Sequence, residues 1–375
     1  MDIDTDLEGG SIEVVSADSA GSITLALRED NASDYMQWFH FRMRDAEGEA
    51  CSFRIHNAGR ATYSHAYADY RACASYDGER WFRLPTAYDG ETLSFEHVPE
   101  HDEVLYGYYA SYPSARQEAL IARAEASPHA RAVRLGTSLH GRPMDLIVVG
   151  DESPGNLRIW VQGRQHPGEA MAAWFMEALA GRLLDADDKV VREVLSRAVF
   201  YLVPSMNPDG AALGNHRTNA AGLDLNRQWR DPDPGTSPEV FLVRRAMLET
   251  GVDMFLDVHG DEDIPYCFAV GCEGVPDYSD RLSRLEDLFA ETLTEVDDDF
   301  QREQGYDLDA PGAADLRLAN NFVCDRFDCL SLTLEMPFKD NANRPDDDVG
   351  WSPERCSSFA RSTLEVVLAM TPELR

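Results

Sequence analysis

Two imidazoles and a carboxylate are the residues of this chain best placed to share chemistry: His166 and Glu169 in His166-Pro167-Gly168-Glu169, and His259 in Leu256-Asp257-Val258-His259-Gly260. A catalytic zinc takes three protein ligands of these types and keeps a fourth position for water or a substrate oxygen. The same donors accept other divalent ions, so the sequence fixes a metal site more firmly than the metal. Each piece alone is weak, because His-x-x-Glu arises by chance and a histidine beside an apolar strand is usually structural.

The elements that must carry these residues can be read locally. Leu157-Arg158-Ile159-Trp160-Val161 reads as a buried strand, residues 162–165 as its exit loop, and Ala170-Met171-Ala172-Ala173-Trp174-Phe175-Met176 as a helix beginning near Glu169. Pro167-Gly168 makes the tight turn between the two ligands. His259 follows a second strand, Met254-Phe255-Leu256-Asp257-Val258. Both sites then lie at the carboxyl edge of a sheet, where open α/β folds bind ligands.

Between the two segments runs Tyr201-Leu202-Val203-Pro204-Ser205-Met206-Asn207-Pro208-Asp209-Gly210, then Gly214-Asn215-His216-Arg217-Thr218-Asn219, then Gly222-Leu223-Asp224-Leu225-Asn226-Arg227-Gln228-Trp229. With Leu332-Thr333-Leu334-Glu335 near the end, these motifs resemble the zinc carboxypeptidases of the M14 family, in its cytosolic carboxypeptidase-like branch, over residues 115–370. The resemblance implies that His166, Glu169 and His259 hold one zinc ion and that Glu335 is the catalytic carboxylate. It also implies that Asn226 and Arg227 grip the terminal carboxylate of a peptide or protein substrate, and that Arg217 polarises the scissile carbonyl. These roles make chemical sense, since a guanidinium beside a side-chain amide suits bidentate capture of a carboxylate. The implied reaction is metal-assisted hydrolysis with Glu335 as general base.

In one respect the sequence departs from the pattern. Many family members fold a tyrosine over the substrate, and the segment Asp328-Cys329-Leu330-Ser331-Leu332-Thr333-Leu334 has none. Tyr306 is the nearest candidate for that task, against the plainer reading of a surface-loop aromatic. In eukaryotic relatives the resemblance points to removal of glutamates from acidic tails. Such a pocket needs basic residues, for which Arg317 and Arg326 are candidates, and both read equally well as ordinary surface arginines.

At 375 residues the chain is long enough for two domains. The expected architecture is α/β: an antiparallel β-sandwich over residues 1–112, then a mixed-sheet catalytic domain flanked by helices over 113–375. The sandwich expectation rests on short segments such as Ser22–Leu27, Gln37–Met43, Ala50–Ile55, Trp81–Leu84 and Thr92–Glu96, punctuated by turn residues. No catalytic constellation is visible there, and His40, His56 and His65 read as sheet or loop residues. After the boundary, Ala115–Ala126 reads as a helix with Ser114 as its N-cap, followed by a hairpin of residues 132–138 and 143–150.

The net charge of −33 opposes nucleic acid and anionic membranes as partners and suits a solvated surface, with Asp297–Asp299 and Asp346–Asp348 as loops. An acidic start and the lack of a long apolar run predict a soluble, cytoplasmic protein. Seven cysteines without a CxxC pair point to reduced thiols, and Cys267 and Cys272 read as structural. A homo-oligomer is left open. Two other functions fit parts of the pattern. A zinc amidohydrolase of small N-acyl amino acids shares the His-x-x-Glu and distant His but does not account for the segments 207–210 and 223–229. A binding module with a relic metal site predicts loss of a chemical residue, and none is lost.

Overall fold

The computed structural model describes residues 1–374. The N-terminal part holds ten strands: β1 (Asp2–Asp4), β2 (Glu13–Ser19), β3 (Ser22–Ala26), β4 (His40–Arg44), β5 (Cys51–Ile55), β6 (Cys73–Ser75), β7 (Phe82–Arg83), β8 (Thr86–Tyr88), β9 (Leu93–His97) and β10 (Glu103–Gly107). They form two sheets, ordered β1-β4-β10-β6-β7 and β2-β3-β5-β9-β8. The first is antiparallel throughout, whereas the second contains one parallel pair, β3 with β5. Aromatic side chains fill the space between them, with Phe53 stacked on Phe95 at 4.7 Å and meeting Tyr106 of the opposite sheet at 4.9 Å. Ring pairs at these separations add to the burial of apolar area that closes a sandwich.

The second part opens on α1 (Ser114–Ala126). Pro113, not Ser114, occupies the cap position; the Ser114 hydroxyl instead donates to Glu8 at 2.8 Å, tying the helix start to the N-terminus. The hairpin follows as β11 (Ala130–Thr137) and β12 (Pro143–Val149), then β13 (Leu157–Gly163), β14 (Ala198–Val203), β15 (Met254–Asp261), β16 (Phe268–Val270) and β17 (Leu330–Pro337). Their order is β11-β12-β14-β13-β15-β17-β16. The four central strands are parallel and the edges antiparallel, so the sheet is mixed. Helices α2 (Ala170–Leu183), α3 (Lys189–Leu195), α4 (Pro208–Leu213), α5 (Pro238–Thr250), α6 (Asp280–Val296), α7 (Ala319–Phe327) and α8 (Pro353–Met370) complete the chain.

Side chains alternate between the two faces of the sheet, as the pleat requires. Ile159, Val161, Leu256, Leu332 and Leu334 pack with residues of α2 and α8, in a core continuous with Phe41, Phe53 and Tyr106 of the sandwich. Trp160, Tyr201 and Phe255 face the other way, onto Val243 and Met247 of α5 and Phe322 of α7. Arg83 stitches the two parts together from a buried position, donating to the carbonyls of Phe338 at 2.7 Å and Lys339 at 3.0 Å. Among the described residues no helix is long and apolar enough to cross a membrane.

One detail differs from the sequence reading. Asp297–Asp299 lie in a loop as expected, but Asp297 and Asp299 are buried and Asp299 pairs with Arg355 at 2.5 Å, so only Asp298 of this run reaches the surface. Asp346–Asp348 are exposed as expected. All seven cysteines are buried and unpaired.

Glu239, at the start of α5, is fully buried, and one of its carboxylate oxygens has no hydrogen-bond partner. Burial pushes its carboxyl up to about 7. A raised carboxyl binds its proton more tightly folded than unfolded, so its contribution to stability is intact below the ordinary value of 4.5 and is lost as pH rises through about 7. Glu239→Gln should therefore raise the thermal midpoint at pH 8 by roughly a few degrees, with the gain shrinking toward zero near pH 4.5. A gain independent of pH in calorimetry would refute this account.

Candidate active site

His166 and Glu169 sit where β13 gives way to α2. The turn between them is held by Arg164, a buried arginine at φ +59° whose guanidinium donates to the carbonyls of Pro167 at 3.1 Å and Tyr112 at 3.0 Å. Gly168 is required there, because a Cβ on it would stand 2.5 Å from His216 Nδ1 and 2.9 Å from the His216 carbonyl. Its own N–H donates to that carbonyl at 2.8 Å. Glu169 is the N-cap residue of α2, and His259 lies near the end of β15.

The sheet brings these three side chains together. Glu169 Oε1 is 2.6 Å from His166 Nδ1, and Oε2 is 2.8 Å from His259 Nδ1. The far nitrogens are anchored by carboxylates: His166 Nε2 lies 3.0 Å from Asp224 and His259 Nε2 lies 2.9 Å from Asp257. A carboxylate on Nε2 holds the proton there and turns the Nδ1 lone pair inward, the usual arrangement behind a metal-binding histidine. Two lone pairs and a carboxylate facing one another are reconciled by a cation, and their donor atoms lie within 4.8 Å of one another. The residues present therefore fit zinc. Burial alone would raise the Glu169 carboxyl, yet His166 and His259 hold it well below the usual range. His259 is raised despite its burial, chiefly by Asp257 and Glu169.

Glu335 follows from register. In the parallel pair β15–β17 it stands directly opposite His259. It is buried, with Oε2 lacking any partner and Oε1 3.4 Å from the Tyr306 hydroxyl. Burial raises its carboxyl well above normal; His259 opposes this, while Glu169, Asp261 and Glu262 add to it. Tyr306 also donates to Asp261 at 2.6 Å, its ring set edge-on against Phe268. The structure thus brings Tyr306 to Glu335 from a distant loop, as a half-exposed residue that lines the cleft.

Asn226 and Arg227 occupy a 3-10 turn, Leu225–Arg227, capped by Asp224, which accepts from the Asn226 N–H at 2.8 Å. The Asn226 carbonyl oxygen is taken by the N–H of Ala319 at 2.8 Å, which turns its amide NH2 to the cleft. Arg227 and Arg217 are both partly buried, and Arg217 donates to Asp224 at 3.0 Å. Asp224 stays ionised against the cost of its burial because His166 and Arg217 flank it.

Every residue assigned from the motifs lines, or backs, one cleft of about 600 Å³. Sequence reasoning missed Asp224 and Asp257 as supports, although both lie inside motifs it used. It also missed Tyr63 and His65, which line the cleft from the N-terminal part. Arg317 and Arg326 are absent from the lining: Arg317 pairs with Asp315 at 2.7 Å and Arg326 lies over Phe327. Cys272 lines the cleft as a buried thiol bonded to the Ser331 carbonyl, and among the described residues His166, Glu169 and His259 are the one metal-binding group found.

Comparison with known proteins agrees with this geometry. Residues 3–109 match the cytosolic carboxypeptidase N-terminal domain, and residues 117–349 match the zinc carboxypeptidase model. An uncharacterised protein of Zymomonas mobilis is 40% identical over 100% of this chain and 97% of its own length. Cytosolic carboxypeptidase 6 of Caenorhabditis elegans is 24% identical, covering 96% of this chain and 83% of its own. A metallo-carboxypeptidase from Pseudomonas aeruginosa, solved in complex with (2-guanidinoethylmercapto)succinic acid, superposes with a TM-score of 0.96 at 46% identity over 100% of both chains. Similarity running the length of the chain, with both matched domains in order, assigns this hydrolase to the zinc carboxypeptidase family.

Proposed function

We propose that this protein is a zinc-dependent exopeptidase that removes single residues from the C-termini of peptides or proteins, with one zinc ion per chain held by His166, Glu169 and His259. The observation that carries the reading is the buried Glu335 carboxylate beside that triad, its Oε2 without a partner, with Arg217, Asn226 and Arg227 at the same cleft. Zinc in such a site acidifies a water and polarises a carbonyl. Glu335, directly opposite His259 in the sheet, takes the proton of the attacking water and passes it to the leaving amine. Arg217 meets the negative charge that develops on the former carbonyl oxygen. Asn226 and Arg227 bind the terminal carboxylate, the amide and guanidinium both donating. Tyr306 supplies a hydroxyl and a ring edge at the mouth of the cleft. The small N-acyl substrate reading finds no counterpart among the matched families.

The terminal side chain is expected to be neutral or basic. The cleft carries Asn320, Asn321 and Thr333 on its wall and Glu273, Asp307 and Asp309 along its length, and its two arginines are those assigned to the carboxylate and the carbonyl. A terminal glutamate side chain would meet no free cation. The guanidino-carboxylate bound to the Pseudomonas aeruginosa relative has the complementary chemistry, a cationic arm on a carboxylate-bearing body.

Glu335→Gln should lower kcat by at least about 100-fold while leaving the zinc content of the purified protein unchanged. Near-normal turnover in that variant would remove Glu335 from the mechanism. Chelation should stop the release of C-terminal residues, read by mass spectrometry, and zinc should restore it; endoproteolytic fragments instead would defeat the exopeptidase assignment. In peptides differing only at the last residue, glutamine or lysine should exceed glutamate by roughly tenfold or more in kcat/KM. A preference for glutamate would overturn the reading of the pocket.

A further inference from the structure

The loop that carries Arg217 is held by the N-terminal domain. Asp30, buried in the segment between β3 and β4, aims its carboxylate at three successive backbone N–H groups of that loop. Oδ1 accepts from His216 at 2.6 Å, and Oδ2 accepts from Arg217 at 2.8 Å and Thr218 at 2.9 Å, with the Thr218 hydroxyl adding a fourth bond at 3.0 Å. The neighbouring residues extend the grip. Asn31 donates to the Ala220 carbonyl at 2.7 Å, and its N–H donates to the Asn215 side chain at 3.2 Å. Ala32 presses so closely on Gly222 that a Cβ there would fall 2.2 Å from its carbonyl oxygen. Tyr35 presents its ring to the Arg217 guanidinium, 5.7 Å from its centroid.

A carboxylate gathering three consecutive amides is a costly thing to bury unless every bond is made, and here both oxygens are used. The backbone of Arg217 is thus fixed from one domain, while its guanidinium is fixed by Asp224 from the other and by the Tyr35 ring. A guanidinium that must meet a developing charge contributes most when it is already in place before the charge appears. We propose that Asp30 is a positioning residue for the reaction: it sets Arg217 across the domain boundary, so the active site is complete only with the N-terminal domain docked. This rests on the role assigned to Arg217 above.

The test is a double-mutant cycle in the full-length, zinc-loaded protein, with a blocked dipeptide as substrate. Arg217→Ala should lower kcat by roughly 100-fold or more. Asp30→Asn should lower kcat by about tenfold or more with KM changed less than about threefold and zinc content unchanged, and should cost less than about twofold further in the Arg217→Ala background. Additive losses, no loss, or a loss that tracks zinc content would overturn the proposal. If Asp30→Asn does not fold, Tyr35→Leu takes its place in the cycle, under the same criteria. A normal kcat in Arg217→Ala would instead sink the oxyanion role itself, leaving the two failures distinct.

Discussion

Glu169 lies between two buried imidazoles, and the architecture around it exists to keep that charge pattern intact. An ionised carboxylate in an apolar interior is strongly penalised unless it is paired and hydrogen-bonded. Here the pairing continues outward from partner to partner: Asp224 behind His166, Asp257 behind His259, Arg217 behind Asp224. The neutral amides of Gln162 and Gln165 then close the Asp257 side at 3.0 and 2.6 Å, and Trp229 donates to Gln165 at 2.8 Å. Removing any inner member leaves its neighbour buried and uncompensated, which costs more than the pair itself contributes. Each ligand is therefore fixed by the next shell, the condition under which a metal site keeps its geometry.

The same demand reaches the backbone. The ligand turn and the Arg217 loop touch so closely that Gly168 has no room for a side chain, and its N–H is spent on the His216 carbonyl. The N–H on the far side of that same peptide unit, from Arg217, goes to Asp30. A run of hydrogen bonds thus leads from a carboxylate in the N-terminal part, through one peptide unit, to the turn that carries His166 and Glu169. The apolar core beneath that path is continuous, joining residues of the sandwich and of the seven-stranded sheet.

Much of this was legible because strands and motifs are local. The apolar run Leu157–Val161 and the turn at Pro167-Gly168 identified themselves by period and residue type, the residues 223–229 by their resemblance to the family, and parallel pairing then placed Glu335 beside His259. Failures arose where meaning depends on a partner far away in sequence. Asp30, Tyr35 and Tyr63 look like any loop residues until the fold sets them against 215–218. Ser114 has the chemistry of an N-cap, but Glu8 claims its hydroxyl. Asp297 and Asp299 read as surface charge because Arg355, the residue that permits their burial, lies in α8. Arg317 and Arg326 failed for the opposite reason: a charge near a site in sequence says nothing of the direction in which it points.

Electrostatic asymmetry gives the cleft its polarity. On one side a single carboxylate, Asp224, sits among His166, Arg217 and Arg227, so that wall carries an excess of positive charge. On the other, Asp261 and Glu262 crowd toward Glu335, and Asp307 and Asp309 extend the negative wall. On the function proposed above, a substrate with a terminal carboxylate would lie across this field with its carboxylate toward Arg227 and its next amide toward Glu335. The surplus acid that makes the whole chain carry −33 would repel such a carboxylate from most of the surface. Under the same proposal it would be admitted where Arg217 and Arg227 share the Asp224 counter-charge, and that local inversion would orient a chain end rather than an internal bond.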